Sequence, residues 1–152
     1  SSDVCSSDLV NNPDNIGGLF RSAAAFGIDL VVLGPNTGDP LYRKAIRTSM
    51  GASLSVPFVQ APQWPGAIVD LRTDGFTVVA LTPRIVAAPL EDVRRGTKLA
   101  LLVGSEGAGL TDEAMAAATM LARIPTTVDV DSLNVATAAS IAMYHCFAER
   151  RP

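Results

Sequence analysis

The chain has 152 residues, 48% of them hydrophobic and 18% charged. That excludes a disordered polar chain and fits one globular domain that buries roughly 68–70% of its unfolded surface. A net charge of −3 lacks the strong basic balance of a stand-alone nucleic-acid binder, no apolar run reaches the ~18–20 residues of a membrane span, and no signal-peptide pattern opens the chain; a cytoplasmic protein is expected.

Ser1-Ser2-Asp3 recurs as Ser6-Ser7-Asp8 around Val4-Cys5, and no Met starts the chain. Val4 to Leu9 resembles a translated sequencing-adapter junction. Residues 1–9 are therefore expected to be a non-native leader, set aside from fold reasoning, with the domain running over 10–152. The strand that should precede Asn11 is then nearly absent.

Pro13 opens a helical pattern of Ile16, Leu19, Phe20, Ala23 and Ala24, with Asp14 or Asn15 as cap and Gly27 as C-cap. Leu30 to Leu33 is a buried strand. Leu41 to Ile46 is a short helix carrying Arg43 and Lys44, followed by Arg47, and Thr48 to Ser53 is a turn. Val56 to Val59 is a strand placed near an edge by Pro57. Pro65 to Leu71 is a helix, Phe76 to Leu81 a strand, and Pro89 to Val93 at most one helical turn. Leu99 to Val103 is another buried strand. Thr111 caps a helix with Asp112 and Glu113 in its first turn. Ala122 to Ile124 is a short strand, and Leu133 to about Arg150 the final helix. Alternating strands and helices with continuous apolar strand runs predict an α/β fold, a mainly parallel sheet flanked by helices.

Polar and glycine residues concentrate in three blocks, each joining a strand-like run to a helix-like run. The first is Asn11 to Ala23, the second Leu102 to Leu110, the third Asp131 to Ala136. Such junctions are where α/β domains bind ligands. Gly104-Ser105-Glu106-Gly107-Ala108-Gly109 permits close backbone approach to a ligand, or is simply a tight turn with Glu106 solvated. It is neither the dinucleotide fingerprint nor a phosphate-binding loop, since no third glycine stands at the right offset and no Gly-Lys-Ser/Thr follows. Arg21 lies among Phe20, Ala23, Ala24 and Ala25 and would need a partner if half-buried. Asp131 or Ser132 would cap the last helix, with Asn134 in its first turn. Cys5 and Cys146 show no metal spacing and no disulfide framework. Cys146 reads as a core residue, and His145, the single histidine, as a packing or surface residue.

Together these blocks resemble the catalytic domain of the SpoU/TrmH-type RNA ribose methyltransferases, in the SPOUT class. Asn15-Ile16-Gly17 with Arg21-Ser22-Ala23 matches the family's first motif. Val103-Gly104-Ser105-Glu106-Gly107 with Gly109-Leu110 matches the second, and Ile124-Pro125 with Ser132-Leu133-Asn134-Val135 the third. Thr48 to Ala52 with Val56-Pro57 resembles the intervening segment. The likeness runs from about Leu9 to Phe147. It departs at Thr126 and Val128, where the family often has Met and Gly, and at Ala136, where it often has Ser.

The resemblance implies a C-terminal trefoil knot and a homodimer with the active site near its interface. It implies S-adenosylmethionine as cofactor, held by Leu81, Thr82, Pro83, Gly104, Ser105, Glu106, Gly107, Ile124, Ser132, Leu133 and Asn134. The reaction it implies is methylation of a ribose 2′-hydroxyl in tRNA or rRNA, without a metal. Asn15, Arg21, Glu106, Ser132 and Asn134 are the implied catalytic residues. Arg21 would stabilise the developing alkoxide and grip a phosphate, being a poor base. Asn15 would position Arg21 or the ribose, Glu106 would hold the site's donors, and Ser132 and Asn134 would orient loop, cofactor or nucleotide. Arg21, Arg43 and Arg47 are the RNA-contact candidates. The competing readings are a non-catalytic RNA-binding or dimerisation module from a truncated or degenerate member, and a nicotinamide-binding domain, which lacks its early glycine fingerprint.

Overall fold

Continuous apolar runs make the strands here, because a parallel sheet covered on both faces buries side chains pointing either way. The computed structural model describes residues 2–8, 10–34, 37–61, 63–94, 96–104, 109–127, 129 and 132–148. In chain order the elements are β1 (Ser2–Asp8), α1 (Pro13–Phe26), β2 (Leu30–Leu33), α2 (Arg43–Thr48), β3 (Phe58–Gln60), α3 (Gly66–Thr73), β4 (Thr77–Leu81), β5 (Ala88–Pro89), β6 (Lys98–Gly104), α4 (Asp112–Ala117), β7 (Met120–Arg123) and α5 (Val135–Phe147). The sheet runs β3-β2-β1-β6-β4-β7-β5. Every pairing in it is parallel. β6 enters between β1 and β4, and β7 between β4 and β5, each between strands formed earlier in the chain.

Alternation splits the core in two. Leu99, Leu101 and Val103 of β6 face the same cluster as Ile16, Leu19 and Phe20 of α1, Ala45 of α2 and Ala139, Met143 and Phe147 of α5. Ala100 and Leu102 face the other, with Ile68 of α3 and Ala114 and Met115 of α4. Each fully buried leucine or phenylalanine contributes about 1.5–3 kcal/mol, so β6, the strand that leads into the glycine block, is among the most firmly held. Among the described residues, no helix is long and apolar enough to cross a membrane.

Most expected elements are present, with their ends shifted by a residue or two. Four expectations need correction. The strand expected to be nearly absent before Asn11 is present: Ser2–Asp8 forms β1, paired with β2 on one side and β6 on the other. Ladder hydrogen bonds come from the backbone, so a run whose clear apolar residues are Val4 and Cys5 suffices when both neighbours are in place. Val4 and Cys5 are buried in opposite clusters, as a two-sided strand requires. The α1 cap is Asn12, whose side chain accepts from the Asp14 amide at 2.8 Å, one position before Pro13. The helix around Arg43 begins two residues later than expected, after an aspartate turn at Asp39. The final helix starts at Val135, so Asn134 is its cap and not a first-turn residue. Gly27 does close α1, at φ 69°, and β3 is an edge strand, as Pro57 suggested.

Candidate active site at the carboxyl edge of the sheet

Since all seven strands are parallel, all their carboxyl ends lie along one edge. The order β1-β6-β4-β7 makes four chemistry-bearing junctions neighbours there. β1 leads into Asn11 to Asn15, β6 into the glycine block, β4 into Leu81-Thr82-Pro83, and β7 into Ile124-Pro125 and then Ser132 to Asn134. Register keeps them level: Asp8 pairs with Gly104, Ala80 with Leu102, and Leu81 with Ala122. The β4 and β7 ends are tied together beyond the ladder, the Thr82 amide donating to the Ala122 carbonyl at 2.9 Å.

The first and third blocks meet through one hydrogen bond. Asn134 Nδ2 donates to Asn15 Oδ1 at 2.9 Å, across a sequence separation of 119. Asn134 Oδ1 accepts from the Thr137 amide at 3.1 Å, capping α5. One amide side chain thus fixes the start of α5 and holds Asn15, which is buried in the first turn of α1. About two turns further along, the Ser22 and Ser140 hydroxyls are hydrogen-bonded, and Ser140 Oγ donates to the Ala136 carbonyl at 2.7 Å. Sequence reasoning quoted Ser22 only as part of the first motif, gave it no role, and missed Ser140. Their only signal was spacing: Ser22 one turn past Gly18, and Ser140 one turn past Ala136.

Arg21 is exposed and has no hydrogen bond or ion pair among the described residues. At about 100° per residue, it shares with Asp14 the side of α1 opposite the buried Leu19 and Ala23. Asn15 points instead toward α5, and its bond goes to Asn134, not to Arg21. Arg43 and Arg47 are exposed on α2, whose Lys44 pairs with Asp14 at 3.5 Å.

The second block folds back on itself. A Cβ at Gly104 would stand 2.5 Å from the Leu110 nitrogen and 2.6 Å from the Gly109 carbonyl carbon. Only glycine allows β6 to end this close to the returning chain. Ser105, Glu106 and Gly107 lie outside the described residues, as does Asp131. Of the other cofactor candidates, Leu81, Ile124 and Leu133 are half-buried, Thr82 is buried, and Pro83 and Ser132 are exposed. Arg84 N donates to Thr82 Oγ1 at 3.4 Å, and the Arg84 guanidinium reaches Asp112 at 3.0 Å.

Among the described residues, neither Cys5 nor His145 is placed for nucleophilic chemistry at this edge. Burial pushes the Cys5 thiol up from 9.0 to about 12, which keeps it protonated and inert. His145 Nε2 lies 3.3 Å from the Val93 carbonyl, away from the carboxyl edge. Among the described residues, no group of three or more His, Cys, Asp or Glu side chains could hold a metal. What the edge offers is backbone from three adjacent loops, amide and hydroxyl side chains, and a free guanidinium nearby.

The model of the SpoU rRNA Methylase family matches residues 5–144. The chain is 44% identical over 138 residues to an uncharacterized tRNA/rRNA methyltransferase of Mycobacterium tuberculosis, a match covering 89% of this chain and 48% of that protein. It is 34% identical over 138 residues to the 23S rRNA (guanosine(2553)-2'-O)-methyltransferase RlmP of Bacillus subtilis, covering 91% of this chain and 55% of RlmP. Its fold matches the AdoMet-bound rRNA methyltransferase from Sinorhizobium meliloti with a TM-score of 0.88 and 31% identity, over 99% of this chain and 56% of that one. The chain therefore spans about half the length of the curated relatives it matches.

Proposed function

The chain belongs to the SpoU rRNA Methylase family, and from that premise we propose that it transfers the methyl group of S-adenosylmethionine to a ribose 2′-hydroxyl of tRNA or rRNA. The observation that carries this reading is the adjacency of the β1, β6, β4 and β7 carboxyl ends, with Asn15 and Asn134 bonded between two of them. Three neighbouring loops rich in backbone donors and acceptors suit a cofactor bound mainly by main chain. Leu81, Thr82 and Pro83, Gly104, Ile124, and Ser132 to Asn134 would hold it, with Ser105, Glu106 and Gly107 completing the middle loop. When bound, S-adenosylmethionine supplies an electrophilic methyl on a sulfonium.

The residues then divide the remaining work. The Arg21 guanidinium donates to oxyanions in a fixed fork. It lowers the energy of the 2′-oxygen as negative charge develops there, and grips the adjacent phosphate. Asn134 locks the loop before α5 to the first turn of α1, so cofactor loop and Arg21 helix keep one geometry.

The same reading carries a homodimer and a C-terminal knot. Ala24 and Ala25 of α1, the helix of Arg21, and Ile141 and Tyr144 of α5, which packs against it, are exposed, apolar surface that a second copy would cover, bringing Arg21 to the interface. Light scattering returning the single-chain mass of 15.8 kDa would refute the dimer. The insertion of β6 and β7 between earlier strands favours the knot.

Calorimetric titration with S-adenosylmethionine tests the core of the proposal, on this chain and on a version whose residues 1–9 are replaced by a Val/Ile-rich strand. Binding followed by transfer of tritiated methyl to bulk tRNA or rRNA is expected. Failure of both versions to bind would favour the non-catalytic module.

A further inference from the structure

Arg43 and Arg47 stand four residues apart on α2 and so share one stripe. At about 100° per residue, that stripe is opposite the fully buried Ala45. α2 contains three cations and no carboxylate. Lys44 is engaged by Asp14, whereas Arg43 and Arg47 have no protein partner among the described residues. Immediately before them stands Tyr42, 60% exposed. Its ring pairs with no other aromatic, and its hydroxyl makes no hydrogen bond among the described residues.

The backbone of Tyr42 is nevertheless held in a turn. Asp39 Oδ1 accepts from the Leu41 amide at 2.8 Å, and the Tyr42 amide donates to the Asp39 carbonyl at 3.1 Å. This turn also directs the nearest carboxylate into the backbone. The turn is in turn held against the candidate site. The Gly38 amide donates to the Val10 carbonyl at 2.9 Å. A Cβ at Gly38 would meet Ile16 Cδ1 at 2.7 Å and the Asn11 carbonyl oxygen at 3.0 Å. At the far end of α2, Thr48 Oγ1 donates to the Pro13 carbonyl at 3.3 Å. Both ends of this basic segment are thus docked on the β1–α1 junction that carries Asn15.

An exposed ring on a hydrogen-bonded turn, beside two guanidinium groups without a partner among the described residues, matches one ligand chemistry. Bases stack on aromatic side chains while phosphates meet arginines, and only unpaired bases have a free face to offer. We propose that Tyr42, with Arg43 and Arg47 beside it, is a stacking platform for an unpaired base of the RNA, next to the nucleotide whose ribose is methylated. The inference rests on the RNA substrate proposed above and narrows it: the target lies in a loop or single-stranded segment, not within a duplex.

The test is fluorescence anisotropy with a short fluorescein-labelled oligouridine over a range of salt concentrations, with an RNA duplex of equal length as competitor. Tyr42→Ala is expected to weaken binding about tenfold without changing the salt slope. Tyr42→Phe, which keeps the ring, restores affinity. Arg43→Gln flattens the slope of log K against log salt by about 0.7. No binding to the wild-type protein, an alanine variant that binds like wild type, a phenylalanine variant no better than alanine, or preference for the duplex would each overturn the platform. Titration of the same wild-type preparation with S-adenosylmethionine separates the two readings. Cofactor binding without the Tyr42 pattern sinks the platform alone. The Tyr42 pattern without cofactor binding sinks the methyltransferase reading and leaves an RNA-binding surface.

Discussion

Removing the Asn134 side chain should destabilise the chain through two separable effects. Its Oδ1 caps α5 through the Thr137 amide, and losing such a cap costs about 1 kcal/mol. Its Nδ2 satisfies Asn15 Oδ1, and Asn15 is only 8% exposed, so the orphaned oxygen costs about 1–3 kcal/mol more. Asn134→Ala should therefore lose about 2–4 kcal/mol in total. Asn134→Ser keeps a capping hydroxyl but cannot reach Asn15, and should lose about 1 kcal/mol less. Asn134→Asp should be the mildest, because a carboxylate caps well at a helix start and the Asn15 amide can rotate to donate to it. Urea denaturation at one fixed protein concentration reads these differences, and melting should drop about 2–4 °C per kcal/mol for a chain of this length. A double-mutant cycle with Asn15→Ala isolates the pair, with an expected coupling of about 1 kcal/mol. A coupling near zero, or alanine and serine variants of equal stability, would refute the two-part role of Asn134.

Arg21→Ala should abolish methyl transfer to tRNA or rRNA and leave calorimetric binding of S-adenosylmethionine intact; a variant that turns over like wild type would remove Arg21 from the chemistry. Gly104→Ala drives a methyl into Gly109 and Leu110, so a loss of about 1–3 kcal/mol in urea and of cofactor binding is expected, and wild-type behaviour would mean that the loop does not return so closely. The Cys5 thiol titrates near 9.0 when exposed and at about 12 when folded. Its raised folded pKa means that its contribution to stability is fully present below pH 9 and declines as pH climbs from 9 toward 12. The urea midpoint of the wild type should fall more steeply over that window than that of Cys5→Ala, and parallel curves would contradict the burial of this thiol.

The elements with continuous apolar runs were readable because a doubly covered parallel strand has no polar face to disguise it. Leu30–Leu33, Thr77–Leu81 and Lys98–Gly104 follow that rule. Ser2–Asp8 breaks it. Its local composition is polar, and its strand state is conferred by two neighbours already hydrogen-bonding outward, one of which, β6, arrives nearly a hundred residues later. The α5 cap fails for a related reason. Ser132 is as good a cap by type as Asn134, and what selects Asn134 is Asn15, more than a hundred residues away. The motif residues themselves were visible as clusters of Asn, Gly, Ser and Arg at strand ends. Their roles were not, since Asn15 faces Asn134 while Arg21 on the same helix faces outward.

Strand order, more than motif content, assembles this site. Had β6 been added at an outer edge, β1 would pair directly with β4, and the glycine block would lie far from Asn15. Inserting β6 between them places Gly104 level with Asp8 on one side and two residues beyond the Leu102–Ala80 pair on the other. β7 then enters on the far side of β4, so the Asn134–Asn15 bond joins the segments that follow the two outer strands of the β1-β6-β4-β7 group. The Asn15–Asn134 bond ties those two segments together, so the bond acts on the shape of the site as well as on the stability of α5. A substitution that breaks it should disturb cofactor affinity and folding together, whereas the exposed Arg21 can be changed without disturbing either.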